Sequence, residues 1–364
     1  FPRLKALGYN ILYAQPVIPG WNPQYLPVHL DKITARVGSA KEYSQFIAQA
    51  QASGFRYLQD IVTHGSLLQE NAARKMELPL LTFDRNGKFY NRYLGDYMNP
   101  DYRAYLACGA EYLMKLGPNG FRVDMPYGNM PNWRKKGFPS RKTLQQLPPA
   151  VQRWVSGWFD RNGSMPELPY ERATLGNRSG RLINATLRDI IRKYRKDGAM
   201  LSELVQPVQG SWADTIYDLC WVYYVTWYCN TEPAAFVRDI RRFFHEQQKL
   251  SPPGTLWTHK FQSHDLIDVY ARLGTAAGNC AYALTTLCAG LSMIQEEADI
   301  GHGDFIARLN RLSLLRPELR DGNADFLAVK CSAPEIWSVL RHDGKQCSIG
   351  LINFSNRTLT SEIR

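Results

Sequence analysis

Strand-like runs alternate with helix-like runs along this chain, and no internal sequence repeat accompanies them. The strand-like runs lie at 10–17, 55–62, 120–124, 199–204, 216–225, 256–263 and 291–295. The helix-like runs lie at 40–52, 101–116, 181–196 and 234–249. Such an order predicts a parallel α/β sheet or barrel. The pattern changes near the end, where 326–354 alternates around an Asp343-Gly344 turn and reads as antiparallel β. The expected organisation is a barrel over 1–318, with loop excursions at 63–99 and 127–180, and a partial β domain over 319–364.

Chain length allows this: 364 residues that are 45% hydrophobic can bury a large core. A net charge of +11 raises nucleic acid as a partner. The basic residues are dispersed, however, and no nucleic-acid module accompanies them, so none is expected. The uncharged run 275–294 carries Asn279, Thr285, Thr286, Gly290 and Ser292, and reads as a buried helix and strand, not a membrane span. Seven cysteines without CxxC spacing argue against a zinc site or a disulfide framework, leaving Cys331 and Cys347 as either a cross-strand pair or free thiols. The chain starts at Phe1 with no visible signal peptide, and both ends read as cut. The compartment stays open, leaning to the cytoplasm, and five Asn-x-Ser/Thr sequons do not decide it. Oligomeric state is not legible.

The chemistry concentrates in Gly120-Phe121-Arg122-Val123-Asp124-Met125-Pro126. Alternation reads as a short buried strand, and Arg122 shares a face with Asp124, where a cation holds a carboxylate ionised. An ion pair that merely satisfies buried charge would leave the same pattern. Three further acids end strand-like runs: Asp60, Glu203 and Asp265. In a parallel barrel such ends converge on one pocket. Converging carboxylates suit glycosidic cleavage, which needs a nucleophile and a proton donor.

These residues resemble the alpha-amylase superfamily of retaining glycoside hydrolases. Gly120-Phe121-Arg122-Val123-Asp124 closely matches that family's fourth-strand motif. Ser202-Glu203-Leu204 is similar to its fifth-strand motif and Phe261-Gln262-Ser263-His264-Asp265 to its seventh. Residues 58–64 resemble the third-strand motif and 291–301 the eighth-strand region, all in the family's order. The resemblance implies a TIM (β/α)8 barrel lacking its first strand in this chain, followed by the start of an antiparallel β domain.

It also implies roles. Asp124 would be the nucleophile and Glu203 the general acid, then base. Asp265 and His264 would hold sugar hydroxyls, and Arg122 would keep Asp124 ionised. Asp60 would be a structural acid at the barrel mouth. The third-strand motif departs from the family: where Asn-His is usual, this chain reads His64-Gly65, leaving His64 as the substitute sugar ligand. The missing Asn, and Gly128 where a His is common, remove two contacts of the family's calcium site, which needs oxygen-rich coordination, so no calcium and no other cofactor is expected.

Tyr25 is the residue expected to stack on the reacting sugar, with Trp133, Trp154 and Trp158 as candidates for further subsites or for ordinary packing. The expected substrate is an α-glucan or malto-oligosaccharide. Hydrolysis, transfer to a sugar acceptor, and a silent amylase-like domain remain the alternatives.

Overall fold

A computed structural model describes residues 1–21, 25–27, 30–64, 97, 100–126, 172–218, 229–264 and 268–364. They fall into two compact units, one of Ile11–Leu204 and one of Phe1–Asn10 with Val205–Arg364.

The first unit is built on four parallel strands, β1 (Ile11–Ala14), β4 (Arg56–Val62), β5 (Gly120–Asp124) and β6 (Ala199–Ser202), adjacent in that order. A small antiparallel pair, β2 (Gly20–Trp21) and β3 (Leu26–Pro27), follows β1. Helix α2 (Ala40–Ala52) starts where expected because Ser39 and Glu42 form a reciprocal capping box. Its Tyr43, Ile47 and Ala50 are buried, one helical face toward the sheet. Helix α3 (Pro100–Lys115) buries Tyr102, Leu106, Ala110 and Leu113 at the same spacing.

Helix α4 spans Arg172–Tyr194, whereas the sequence predicts its start at 181. Gly176, Ser179 and Gly180 weaken local helix propensity there. Burial of Ser179 and Gly180 supplies what propensity lacks. Apart from 63, 64 and 97, and 172–180 in α4, the two predicted excursions, with Trp133, Trp154 and Trp158, lie outside the described residues.

All five residues of β5 are buried. Gly120 is required by close approach, since a Cβ there would stand 1.8 Å from the Ala199 carbonyl oxygen of β6. Asn119, just before it, accepts from Tyr57 N–H at 2.8 Å through its side chain and from Ala199 N–H at 3.0 Å through its carbonyl. Three strand starts are thereby set in one register.

The second unit carries three parallel strands, β7 (Thr215–Asp218), β8 (Trp257–Lys260) and β9 (Leu291–Met293). The described residues thus hold the seven parallel strands expected from the sequence, four in one unit and three in the other. Helices α5 (Pro233–Leu250), α6 (Val269–Leu287), α7 (Gly303–Leu315) and α8 (Pro317–Arg320) belong to this unit, with short α1 (Pro2–Ala6) from the N-terminus. Helix α6 begins before the predicted 275 because Asp268 caps it and the non-helical Gly274 kinks it without ending it. No described helix is long and apolar enough to cross a membrane.

Strands β10 (Asn323–Asp325), β11 (Ile336–His342) and β12 (Cys347–Asn353) form an antiparallel sheet, turned at Asp343-Gly344 as predicted. Phe236, Phe244, Tyr282, Trp337 and Val339 share one buried cluster. Cys331 and Cys347 are free thiols, which removes the cross-strand disulfide alternative.

Candidate active site

Register places the acids. Asp60 of β4 pairs with Arg122 of β5, and Val62 pairs with Asp124. Residues 58, 60 and 62 share one strand face, while Tyr57 and Gln59 on the other reach the Tyr43 hydroxyl of α2. On β6, Ser202 donates to Asn184 of α4 at 2.7 Å, so the next residue, Glu203, turns to the opposite face. Its N–H continues the ladder to the Val123 carbonyl at 2.9 Å.

Arg122 is the hub, with no solvent exposure. Its Nη1 donates to Asp124 Oδ1 at 2.7 Å and to Asp60 Oδ2 at 3.0 Å, and its Nη2 donates to Glu203 Oε2 at 2.9 Å. The planar guanidinium suits this forked arrangement. Tyr13 and Tyr25 flank it, with ring centroids 5.8 and 5.9 Å from Arg122 Cζ. Asp60 is sealed, while Asp124, His64 and Glu203 keep 6%, 8% and 9% exposure. That order separates an interior acid from three groups at the edge of the buried network.

One guanidinium cannot neutralise three buried carboxylates. Burial pushes the Asp60 carboxyl up to about 7, against the Arg122 charge and helped by the Asp124 charge. Burial also acts to raise Asp124, but the His64 hydrogen bond and the Arg122 charge hold it below its usual value. The site therefore keeps Asp124 ionised and gives Asp60 the stronger claim on a proton.

The structure brings Asp124, Glu203, Arg122, Asp60, His64 and Tyr25 into one network. Tyr25, the candidate for sugar stacking, donates its hydroxyl to Asp60 Oδ2 at 2.8 Å. His64 Nε2 lies 3.3 Å from Asp124 Oδ2. His264 is exposed at the end of the segment after β8 in the other unit, and Asp265 lies outside the described residues. No group of His, Cys, Asp and Glu among the described residues could hold a metal ion.

Sequence reasoning missed two contributors. The Met125 N–H donates to Glu203 Oε2 at 3.1 Å, and Thr63 Oγ1 donates to the Asp124 carbonyl at 2.7 Å. The Met125-Pro126 pair was the only available signal, since a residue before proline is conformationally restricted.

No protein-family model matches the chain, and no curated protein matches it in sequence. Solved structures do match in fold. A maltogenic alpha-amylase from Thermotoga neapolitana superposes with a TM-score of 0.69 at 16% identity, covering 97% of this chain and 79% of that one. The ligand-free cyclic alpha-maltosyl-(1→6)-maltose hydrolase from Arthrobacter globiformis gives 0.67 at 16%, covering 97% and 80%. A debranching enzyme from Nostoc punctiforme gives 0.68 at 14%, covering 97% and 76%. The chain shares its fold with these amylase and debranching-enzyme structures.

Proposed function

We propose that this chain is a retaining glycoside hydrolase that cleaves α-glucosidic bonds of α-glucans or malto-oligosaccharides. The observation that carries the reading is the shared grip of Arg122 on Asp124 and Glu203. Retention needs two carboxyl groups close together, about 5–5.5 Å apart, one ionised and one able to give a proton. Two carboxylates hung from one guanidinium stay close, and Asp124 is held ionised. Asp124 attacks the anomeric carbon as Glu203 protonates the departing sugar oxygen. Glu203 then takes a proton from water, which attacks the same carbon and frees Asp124. Asp265 and His264 bind sugar hydroxyls in this reading. The fold is shared with structures described as complexes with maltose and with acarbose, which supports an oligosaccharide substrate.

The family's calcium does not fit the described residues. His64 stands where the oxygen-bearing Asn is usual, and its ring nitrogen is turned to Asp124. Activity is independent of calcium in this reading, and dialysis against a chelator leaves it unchanged.

The test is product analysis by chromatography on starch, malto-oligosaccharides and maltose 1-phosphate, with Asp124→Asn as control. Small α-sugars released by the wild type alone support hydrolysis. Chain lengthening without new reducing ends would replace it with transfer through the same intermediate. No turnover of any donor would point to a silent domain.

A further inference from the structure

Asp124 has two side-chain oxygens, and they are held differently. Oδ1 receives Arg122 Nη1 at 2.7 Å; Oδ2 faces His64 Nε2 at 3.3 Å. A carboxylate only accepts, so Nε2 carries the hydrogen. The backbone beneath His64 is fixed on two sides. Thr63 Oγ1 donates to the Asp124 carbonyl at 2.7 Å, and the Tyr102 hydroxyl of α3 donates to the Thr63 carbonyl at 2.6 Å. These bonds lock the end of β4 onto the end of β5. The imidazole is thus carried to the nucleophile by the same strand ends that carry Asp124. A side chain poised to bind sugar would not need its ring nitrogen on the acid.

We propose that His64 is a positioning residue for Asp124, its Nε2–H fixing the rotation of the carboxylate through Oδ2. The inference rests on Asp124 being the nucleophile. While Asp124 is a free carboxylate the bond is charge-assisted; it weakens once that carboxylate becomes an ester with the sugar. His64 therefore favours the ionised form at the start and at the end of each turnover. Among the described residues, the ionisable groups around Asp124 are His64 and Asp60 from β4 and its end, Arg122 from β5 and Glu203 after β6, with the Tyr25 hydroxyl on Asp60.

The test is the pH dependence of kcat/KM on a malto-oligosaccharide for wild type, His64→Ala, His64→Asn and Asp124→Asn, with circular dichroism confirming each fold. His64→Ala is expected to lower kcat about 10- to 100-fold with little change in KM, and to move the acidic limb to higher pH. His64→Asn, which keeps a neutral N–H donor, is expected to recover most of both. A raised KM with an unmoved acidic limb would make His64 a sugar ligand and overturn the proposal. So would an unchanged kcat in His64→Ala, or a failure of Asn to do better than Ala. Turnover by Asp124→Asn, or none by the wild type, would instead overturn the reading of the site, and this inference with it.

Discussion

The backbone N–H of Met125 donates to Oε2 of Glu203 at 3.1 Å, although Met125 holds a positive φ of 43° that non-glycine residues rarely adopt. The same oxygen receives Arg122 Nη2 at 2.9 Å. Two N–H donors converging on Oε2 fix the orientation of the Glu203 carboxyl. The residue after Asp124 thereby orients Glu203.

Met125→Gly and Met125→Val separate backbone from side chain. Glycine accepts the left-handed conformation, so Met125→Gly is expected to keep kcat within a fewfold of wild type. A β-branched residue is strained there, so Met125→Val is expected to lose about 1–2 kcal/mol of stability and at least about tenfold in kcat. Urea midpoints and steady-state kinetics check both.

Arg122→Lys is not conservative at this hub. A single ammonium cannot reach Asp60, Asp124 and Glu203 with the geometry of the planar fork. Buried carboxylates left without their partner cost about 3–5 kcal/mol, and activity is expected to fall by at least about 100-fold. Chemical denaturation and product release measure the two losses.

Asp60 sets a signed dependence of stability on pH. Its folded carboxyl, pushed up to about 7, lies above the ordinary 3.8. The fold favours the protonated form, so this contribution is complete below the unfolded value and is lost as pH rises through the interval to the folded one. The ceiling is about 4 kcal/mol, at 1.36 kcal/mol per unit. Asp124, held below its usual value, acts in the opposite sense as pH falls through the acid range. Asp60→Asn is expected to flatten the loss of stability between about pH 4.5 and 7. Thermal unfolding across that interval, wild type against variant, measures the slope.

Arg341 predicts a purely structural effect. Buried in the second unit, it donates to five carbonyls, those of Asn323, Leu287, Cys288, Leu319 and Gly322. Arg341→Met keeps much of the bulk and strands these acceptors, at a cost of about 3 kcal/mol or more. Urea denaturation should show it.

The sequence made the strands legible because buried strands announce themselves by apolar runs, and β5 combines this with Arg122 and Asp124 on one face. Helix α2 was legible to the residue because Ser39 and Glu42 cap it locally. The start of α4 was not, because tertiary burial of Ser179 and Gly180 overrides their local preference. Nor was the start of α6, where Gly274 interrupts the pattern without ending the helix. The partners of Tyr25 and His64 depended on strand register between distant segments. Each reads locally as a sugar contact, yet Tyr25 is bonded to Asp60 and His64 to Asp124. The joint grip of Arg122 on three acids could be read only as an Arg–Asp pair.

The central claim is that Asp124 becomes covalently bound to sugar, and a trap tests it most directly. The protein would be incubated with an α-glucosyl fluoride carrying fluorine at C5, which slows breakdown of a glycosyl-enzyme, then digested and analysed by mass spectrometry. The account predicts one hexosyl adduct, on the peptide containing Asp124 and at that residue. Turnover of the fluoride with no adduct, or an adduct on Glu203 or Asp60, would contradict it.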